Sequence, residues 1–316
     1  MRKLLSAGLI VMALAVRLAA QNPPAPAGTG QNQGDTPAER IKVRVDLVNV
    51  LFTAIDKKNR LILNLTKEDF NILEDNKPQA IRYFSRETNL PLRIAVLIDT
   101  SNSVRDRLRF EQEAAIDFLT STLRPVKDQA FVVGFDVEPQ LLQDYTDDME
   151  KLSTAIRGLQ TGGTTALYDT IYYACREKML IFPPPEPYLR RVMVVITDGN
   201  DNSSIRTREE ALAMAQRAEV TIFAISTNWR KIEDRGDKVL QRFSAETGGR
   251  TFFPFSHREL AADFEEISRE LRSQYSLAYT SSNPARDGTF RTIRIEPRER
   301  DYKVRAKSGY FAASAP

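Results

Sequence analysis

The chain has 316 residues, of which 42% are hydrophobic, and a formal net charge of +3. This length allows about two domains of roughly 150 residues each. So small a charge does not indicate a nucleic-acid partner, for which a clustered basic face is typical. The single cysteine, Cys175, excludes an intramolecular disulfide and Cys₄ zinc sites. The single histidine, His257, argues against histidine-based zinc sites and Ser-His-Asp triads.

Residues 1–20 have the pattern of a secretory signal peptide. A basic start, Arg2 and Lys3, precedes an apolar stretch from Leu4 to Val16, and small residues follow up to Ala20. This stretch is short for a membrane span. We therefore expect cleavage after Ala20 and no stable membrane span in the mature protein, which would lie outside the cytoplasm. An uncleaved anchor is the alternative.

Two segments with strand-type patterns flank the centre of the chain. Residues 21–40 are rich in Pro, Gly, Ala, Gln and Asn, which predicts a flexible linker. Residues 41–90 alternate apolar and polar side chains between turn signals, and Leu61 to Leu65 is predicted to be one of the strands. Residues 275–316 alternate again, and Asp287-Gly288 is predicted to be a hairpin turn. Because each flank is marginal alone, we expect both to form one β-sandwich.

Residues 91–274 alternate apolar strands with helical periods. The predicted strands are Ile94–Ile98, Ala130–Phe135, Val192–Ile196, Val220–Ile225 and Thr251–Phe255, with Leu141–Tyr145 as an antiparallel edge strand. The predicted helices are at 105–123, 148–158, 166–180, 207–218, 237–246 and 257–273. Near-continuous apolar strands between helices predict an α/β fold, a doubly wound and mostly parallel sheet covered on both faces.

Oxygen-bearing side chains follow two of these strands. Asp99, Ser101 and Ser103 come after Ile98, Asp198 comes after the third strand, and Thr164 follows a Gly-Gly pair. In open parallel sheets, ligands bind outside the carboxyl ends of the strands. Hard divalent cations such as Mg²⁺ prefer oxygen ligands. Two aspartates would just neutralise the ion and leave it able to accept a partner's oxygen, which points to binding rather than catalysis.

These motifs resemble those of the von Willebrand factor type A (VWA) family. Asp99-x-Ser101-x-Ser103, the Thr164 of Gly-Gly-Thr and the Asp198 of Ile-Thr-Asp-Gly look like that family's metal-ion-dependent adhesion site (MIDAS). The resemblance implies a Rossmann-like VWA domain in which the three hydroxyls bind the metal. It also implies that the two aspartates act directly or through water, and that a partner's acidic side chain fills the open position.

The flanks resemble a bacterial group of exported proteins with a related A domain. The matching segments are Leu65–Phe70 and the closing Gly309–Phe311. This resemblance bears on the architecture more than on the function. From the signal-peptide pattern we expect a secreted, periplasmic or cell-envelope location. One departure is Asn102, where many VWA members have Gly. Asn tolerates unusual backbone angles, so we expect only a local change.

The expected function is therefore metal-dependent protein binding, in adhesion, assembly or scaffolding, without enzyme activity. The expected ion is Mg²⁺, or Mn²⁺ or Ca²⁺, and the expected partner is a protein that presents an acidic residue. One alternative is a hydrolase that uses metal-activated water, which needs a general base. No Glu is evidently paired with the site, but a perturbed carboxylate there would favour this alternative. The other is a structural module with a vestigial site, whose partner binding would survive metal removal.

Overall fold

The computed structural model describes residues 47–180, 189–228, 232–298 and 301–314. The predicted signal peptide (1–20), the linker (21–40) and the first residues of the N-terminal β segment lie outside these ranges. Among the helices of the described ranges, none is both long and apolar enough to cross a membrane.

The described residues form fourteen strands and six α-helices. The strands are β1 (Leu47–Asp56), β2 (Phe70–Glu74), β3 (Lys77–Gln79), β4 (Ile81–Glu87), β5 (Leu92–Asp99), β6 (Gln129–Phe135), β7 (Pro139–Thr146), β8 (Arg190–Thr197), β9 (Val220–Ser226), β10 (Thr251–Phe252), β11 (Gln274–Thr280), β12 (Phe290–Pro297), β13 (Tyr302–Ala306) and β14 (Gly309–Phe311). The helices are α1 (Leu108–Thr122), α2 (Met149–Arg157), α3 (Leu167–Tyr173), α4 (Arg208–Arg217), α5 (Arg235–Thr247) and α6 (His257–Leu271). A π-helical segment, Ala174–Met179, continues α3.

The central sheet has the strand order β10-β9-β8-β5-β6-β7. All its neighbours are parallel except β7, which pairs antiparallel with β6. Successive residues of β5 face opposite cores: Ile94 and Val96 pack on the side of α1 and α6, and Ala95 and Leu97 on the side of α3, α4 and α5. Burial on both faces explains the unbroken apolar strands. The predicted doubly wound, mostly parallel sheet is confirmed.

The flanking segments form two four-stranded antiparallel sheets, β13-β1-β11-β4 and β14-β12-β2-β3. Each sheet contains strands from both sides of the α/β segment. The two sheets share one aromatic core, in which the Phe52 ring lies 5.0 Å from the Phe70 ring and 5.4 Å from the Tyr275 ring, centroid to centroid. The predicted β-sandwich built from both flanks is therefore confirmed.

Two local predictions in the flanks are wrong. Leu61–Leu65 is not a strand, because the Tyr275 hydroxyl donates to the Ile62 carbonyl and accepts from the Leu65 amide, which replaces strand pairing there. Only an isolated bridge joins Leu61 to β1 within the described residues. Asp287-Gly288 is not the turn of a hairpin, because β11 and β12 belong to different sheets and β12 pairs with β2 and β14.

Candidate metal centre

The carboxyl edge of the central sheet brings the two predicted aspartates together. Strands β5 and β8 are adjacent and parallel, and Ile98 pairs with Ile196. Asp99 therefore ends one strand beside Thr197, whose hydroxyl donates to Asp99 Oδ2 at 2.6 Å. Asp198 follows directly. Asp99 is fully buried and Asp198 is half-buried, so one carboxylate lies beneath the edge and the other lies on it.

The loop after β5 places two hydroxyls side by side. Asp99 Oδ1 accepts from the Ser101 amide at 2.8 Å, which turns the chain sharply after the strand. The Ser101 and Ser103 hydroxyl oxygens then lie 2.9 Å apart. In octahedral coordination at 2.0–2.1 Å, adjacent ligand oxygens are about 2.9 Å apart. The two hydroxyls are hydrogen-bonded to each other, and their separation is also compatible with neighbouring ligands of one Mg²⁺ ion.

Thr164 is held against this loop by the backbone next to it. The Asn102 side chain donates to the Gly163 carbonyl at 3.2 Å, and the Gly162 amide donates to the Thr100 carbonyl at 2.8 Å. Gly163 has a φ of +66°, and a Cβ on it would lie 2.8 Å from Val137 Cγ2. A side chain there would be both strained and crowded. Asn102, the departure from the family pattern, thus makes a bond that a glycine could not make.

The loop after β8 meets Thr164 from the other side. The Thr164 hydroxyl is hydrogen-bonded to the Ser203 hydroxyl. The Thr165 amide donates to Asn202 Oδ1 at 2.8 Å. Ser203 was not among the predicted ligands, although its place on the loop that follows the Asp198 motif was a signal. It lies close enough to Thr164 to be a further oxygen donor at the site.

Gly199 fixes the position of the loop that carries Asp198. Its φ is +80°, and a Cβ on it would lie 2.3 Å from the Gly236 carbonyl oxygen at the start of α5. The two glycines therefore let the backbone after β8 lie against the first turn of that helix. The Asn200 amide donates to Asp198 Oδ1 at 3.0 Å and orients the carboxylate.

The carboxylates of this edge are electrostatically unfavourable without a cation. Burial raises the pKa of Asp99 to about 6, although hydrogen bonds from Thr197 and Ser101 oppose the shift. The negative charge of Asp198 raises this pKa further. Desolvation and like charge both favour the protonated form, and a bound cation would reverse the preference. The arrangement therefore favours occupation by a positive ion.

Glu111 is a third carboxylate of this neighbourhood that the sequence analysis missed. It lies on α1, is 3% exposed, and its Oε2 has no hydrogen-bond partner among the described residues. Burial raises the pKa of Glu111 to about 8; Arg107 opposes this shift, and Asp99 and Asp198 add to it. The signal was its helical phase, since it lies three residues after Leu108 on the apolar face of the helix.

A small cavity lies beside Glu111. It is lined partly by Arg107, Thr227 and Leu260, and its volume of about 20 Å³ is enough for one water molecule. The Thr227 hydroxyl also has no hydrogen-bond partner in the part of the chain that the structure describes.

The donor set consists mainly of hydroxyls. Among the described residues, no group of three or more His, Cys, Asp or Glu side chains is arranged to hold a metal ion. The structure instead places Asp99, Ser101 and Ser103 on one hydrogen-bonded loop of this sheet edge, with Thr164 and Asp198 on the two loops beside it. This is a hard-oxygen environment of the kind that Mg²⁺ uses with several waters.

A doubly wound sheet with these loops at its carboxyl edge defines an A-type α/β domain. The family model of the von Willebrand factor type A domain matches residues 94–270, more than half of the chain. The chain therefore belongs to the VWA family.

Individual relatives are distant. Human von Willebrand factor A domain-containing protein 3B is 25% identical over 165 residues, which are 51% of this chain and only 12% of that protein. The fold is similar to that of a von Willebrand factor type A protein from Catenulispora acidiphila, with a TM-score of 0.51 and 13% identity over 86% of this chain and 74% of that chain. Proximal thread matrix protein 1 from the mussel byssus, solved with a zinc-occupied MIDAS motif, has a TM-score of 0.49 and 18% identity over 63% of this chain and 49% of that chain.

Proposed function

We propose that this VWA protein binds a partner protein through a divalent cation at the carboxyl edge of its central sheet. The observation that carries the proposal is the group of hydroxyls and carboxylates at one sheet edge, in which the hydrogen-bonded Ser101 and Ser103 lie on the loop that the buried Asp99 holds. In the proposed site, Ser101, Ser103 and Thr164 give hydroxyl oxygens. Asp99 and Asp198 act directly or through water. Mg²⁺ is the preferred ion, and Mn²⁺ or Ca²⁺ are substitutes.

The charge of the site supports an acidic ligand. Two aspartates balance a divalent cation, so a partner's carboxylate meets no excess negative charge from these ligands. Asp99 already accepts hydrogen bonds at both oxygens, from the Ser101 amide and the Thr197 hydroxyl. A carboxylate held in this way is suited to orient water or hydroxyl ligands. Ser103 and Thr164 are exposed, so the ligand side of the site faces solvent.

Titration calorimetry with Mg²⁺ and with Mn²⁺ tests the metal site. We expect saturable one-site binding by the protein and its loss in Asp99→Ala and Asp198→Ala. Asp117→Ala is the matched control, because Asp117 is an exposed acid on α1 and should leave metal binding unchanged. Absence of binding by the unsubstituted protein would contradict the proposal.

Partner binding is tested separately by recovery of bound proteins with and without a chelator. Proteins that bind in Mg²⁺, elute with EDTA and do not bind Asp99→Ala are the expected partners. A partner held equally well with EDTA would instead favour the structural module whose metal site is vestigial.

We further propose that the protein is exported, with residues 1–20 as a signal peptide and 21–40 as a linker. In this organisation residues 91–274 form the VWA domain, and 41–90 with 275–316 form the sandwich. Expression of the full chain in a bacterium, followed by fractionation and N-terminal mass spectrometry, tests the first part. A mature protein that begins at Gln21 outside the cytoplasm is expected, and an intact N-terminus in the membrane would instead indicate an uncleaved anchor.

Glu111 supports a second candidate, a metal-dependent hydrolase. Its carboxyl is buried, its pKa is raised to about 8, and Asp99 and Asp198 lie within electrostatic range of it. A carboxyl with this pKa is mainly protonated at pH 7, so it would act as a general acid there and as a general base only near and above pH 8. Hydrolysis of p-nitrophenyl acetate or p-nitrophenyl phosphate that requires Mg²⁺ and disappears in Glu111→Gln would favour this candidate. Metal-dependent partner binding by Glu111→Gln, without any hydrolysis by the unsubstituted protein, would favour the binding module.

A further inference from the structure

A cleft lies at the amino edge of the central sheet, where β8 and β9 begin. Its volume is about 90 Å³. Strand β8 contributes Arg190 and Arg191 to its lining. The β-sandwich contributes Asn49 from β1 and Lys307 from the connection between β13 and β14. The cleft therefore lies where the sandwich meets the α/β fold, and we name it the amino-edge cleft.

Hydrogen bonds to two helices hold the sandwich side of this cleft in place. The amide of Ser308, the residue after Lys307, donates to the carbonyl of Glu246 in the last turn of α5 at 3.0 Å. The Ser308 hydroxyl accepts from the Gln216 side chain of α4 at 3.3 Å. A ligand would therefore meet a preformed wall, and little conformational entropy would be lost on binding.

The charges of the residues that line the cleft do not cancel. Lys307 Nζ bonds to Glu219 Oε1 at 2.9 Å, so these two opposite charges balance each other. Glu219 is the one carboxylate among the described residues that line the cleft. The positive charges of Arg190 and Arg191 are therefore left without a counter-charge of their own in the lining.

Backbone carbonyls hold both arginines without neutralising them. Arg190 donates to the Leu271 carbonyl and, at 3.3 Å, to the Glu87 carbonyl. Arg191 donates to the Met179 carbonyl at 3.1 Å. Arg190 is 2% exposed, and its Nε has no hydrogen-bond partner among the described residues. A buried cation that is held by neutral acceptors would be stabilised by a nearby anion.

The pKa of Arg190 agrees with a shortage of negative charge. Burial lowers this pKa to about 10, and the positive charge of Arg272 lowers it further. The charges of Glu87 and Asp128 act in the opposite direction but do not outweigh these effects. An anion in the cleft would favour the charged form of Arg190.

We propose that the amino-edge cleft binds one small inorganic oxyanion, of which phosphate and sulfate are examples. Guanidinium groups bind tetrahedral oxyanions through paired, charge-assisted hydrogen bonds. Asn49 offers its amide nitrogen as a further donor, because its carbonyl oxygen already accepts from the Ser276 hydroxyl at 2.7 Å.

The size of the cleft favours a free ion. One buried water needs about 10–15 Å³, so the cleft has room for several waters or for one ion with a few atoms. Sites for larger ligands have volumes of about 300–1,000 Å³. A nucleotide would therefore not fit in the amino-edge cleft.

The ion would contact two parts of the chain at once. Arg190 and Arg191 belong to the α/β fold, whereas Asn49 and Lys307 belong to the sandwich. Binding should therefore stabilise the contact between the sandwich and the α/β fold. The proposed metal site is at the opposite edge of the sheet, so this inference does not depend on the proposed function.

Titration calorimetry of the full chain with sodium phosphate tests the inference. The buffer contains EDTA, which removes divalent cations that could bind phosphate themselves, and NaCl keeps the ionic strength constant. We expect one saturable site, and sulfate should compete for it. Arg191→Gln should weaken phosphate binding at least tenfold. Glu219→Gln should strengthen it severalfold, because the substitution removes the negative charge from the lining.

Lys57→Gln is the matched control for these substitutions. The Lys57 side chain is 74% exposed and forms an ion pair with Asp301 beyond the other end of β1. It should leave phosphate binding unchanged. If circular dichroism shows that Arg191→Gln does not fold, Lys307→Gln replaces it and should also weaken binding.

Two results would overturn the inference. One is the absence of saturable phosphate binding by the unsubstituted protein. The other is equal affinity in the unsubstituted protein and in the folded cation variant, whether Arg191→Gln or Lys307→Gln. Glycerol 3-phosphate carries the same group on a larger body and should bind at least tenfold more weakly than phosphate. Equal or tighter binding of glycerol 3-phosphate would contradict the assignment to a free ion.

Discussion

The two edges of the central sheet shift the pKa of a buried aspartate in opposite directions. Asp99 at the carboxyl edge and Asp128 just before β6 at the amino edge are both 0% exposed. Burial raises the pKa of Asp99 to about 6. Burial also acts to raise the pKa of Asp128, but bonds from Arg124, the Leu92 amide and Arg272 outweigh it and hold the value at about 2.

The difference lies in what faces each carboxylate. Asp128 accepts from two guanidinium groups at 2.9 Å and 2.7 Å, and those bonds join the end of α1 to the end of α6. Asp99 faces a hydroxyl and an amide, with another carboxylate nearby. The amino edge therefore uses its buried charge to stabilise the fold. At the carboxyl edge, neutral donors hold Asp99 beside a second carboxylate, an arrangement that favours a bound cation.

Loss of the Asp128 charge should have the largest effect on stability. In Asp128→Asn the two arginines lose their buried partner, and breaking such a pair costs about 3–5 kcal/mol. The low end is expected, because the arginine side chains are 31% and 24% exposed. Urea unfolding at pH 7 measures this cost, with the exposed Asp117→Asn as the control. A loss below about 1 kcal/mol is within the range of exposed ion pairs. It would mean that the Asp128 charge does not stabilise the amino edge.

The pH dependence of this loss follows from the lowered pKa. A carboxylate whose folded pKa is below its unfolded value contributes stability above the unfolded pKa and loses it as the pH falls through the folded one. The difference between the protein and Asp128→Asn should therefore be complete above pH about 4 and shrink toward pH 2. An unchanged difference across that window would argue against ionisation as its cause.

In the absence of metal, Asp99→Asn should change the stability of the fold in the opposite direction to Asp128→Asn. Because the folded pKa of Asp99 is above its unfolded value, the proton stabilises the folded protein at low pH, and this contribution is lost as the pH rises through about 6. At pH 8 the buried charge costs about 3 kcal/mol. The variant in EDTA should therefore be more stable than the protein at pH 8 by up to that amount, and equal to it near pH 4.

Magnesium should reverse this order. At a free concentration of about 100 times the dissociation constant, the ion stabilises the protein by about 2.7 kcal/mol. Asp99→Asn should gain nothing, since it lacks the ligand charge. Parallel urea titrations in EDTA and in Mg²⁺ measure both effects. If Asp99→Asn is destabilised in EDTA at pH 8, the carboxylate has a structural role like that of Asp128, and the contrast between the edges disappears.

Gly199→Ala should have an intermediate effect on both stability and metal binding. The added Cβ meets the Gly236 carbonyl oxygen, and φ is unfavourable for alanine, so a cost of about 1–3 kcal/mol is expected. The loop must move, and Asp198 moves with it, which should weaken Mg²⁺ binding in calorimetry. Gly158→Ala is the matched control, since its φ is −74° and a Cβ there would be at ordinary contact distance. Unchanged Mg²⁺ affinity in Gly199→Ala would show that this close approach does not position Asp198.

The fold could be predicted from sequence because burial leaves a direct pattern. Strands covered on both faces are apolar throughout, as in Ile94–Ile98, and their neighbours follow from strand–helix alternation. Sandwich pairing was harder to predict. Asp287-Gly288 has the local chemistry of a hairpin, but long-range pairing of β12 with β2 decides its structure. Likewise, no local pattern shows that a tyrosine hydroxyl satisfies the backbone around Leu61–Leu65.

In the candidate site, too, some residues could be predicted from the sequence and others depend on tertiary contacts. Asp99, Ser101 and Ser103 lie on one continuous loop, so their spacing could be predicted from the strand that precedes them. Glu111 and Ser203 join the neighbourhood through tertiary contacts, and the sequence analysis did not include them. The phase of Glu111 on the apolar face of α1 was a usable signal, because a buried ionisable residue on a helix needs an explanation. The signal for Ser203 was weaker, because other hydroxyl-bearing residues share its position on the loop that follows the Asp198 motif.

The smallest expected effect concerns Asn102, which joins the two halves of the carboxyl edge. Its side chain donates to the Gly163 carbonyl at 3.2 Å and accepts from Arg105 at 3.0 Å, and it is exposed. Such a bond contributes about 0.5–1.5 kcal/mol. Asn102→Gly should therefore lower unfolding stability by no more than about 1 kcal/mol and Mg²⁺ affinity by less than about tenfold. Arg105→Ala is the control for the second contact. A larger loss of affinity in Asn102→Gly alone would mean that this bond, rather than the hydroxyl contact between Thr164 and Ser203, positions Thr164 at the carboxyl edge.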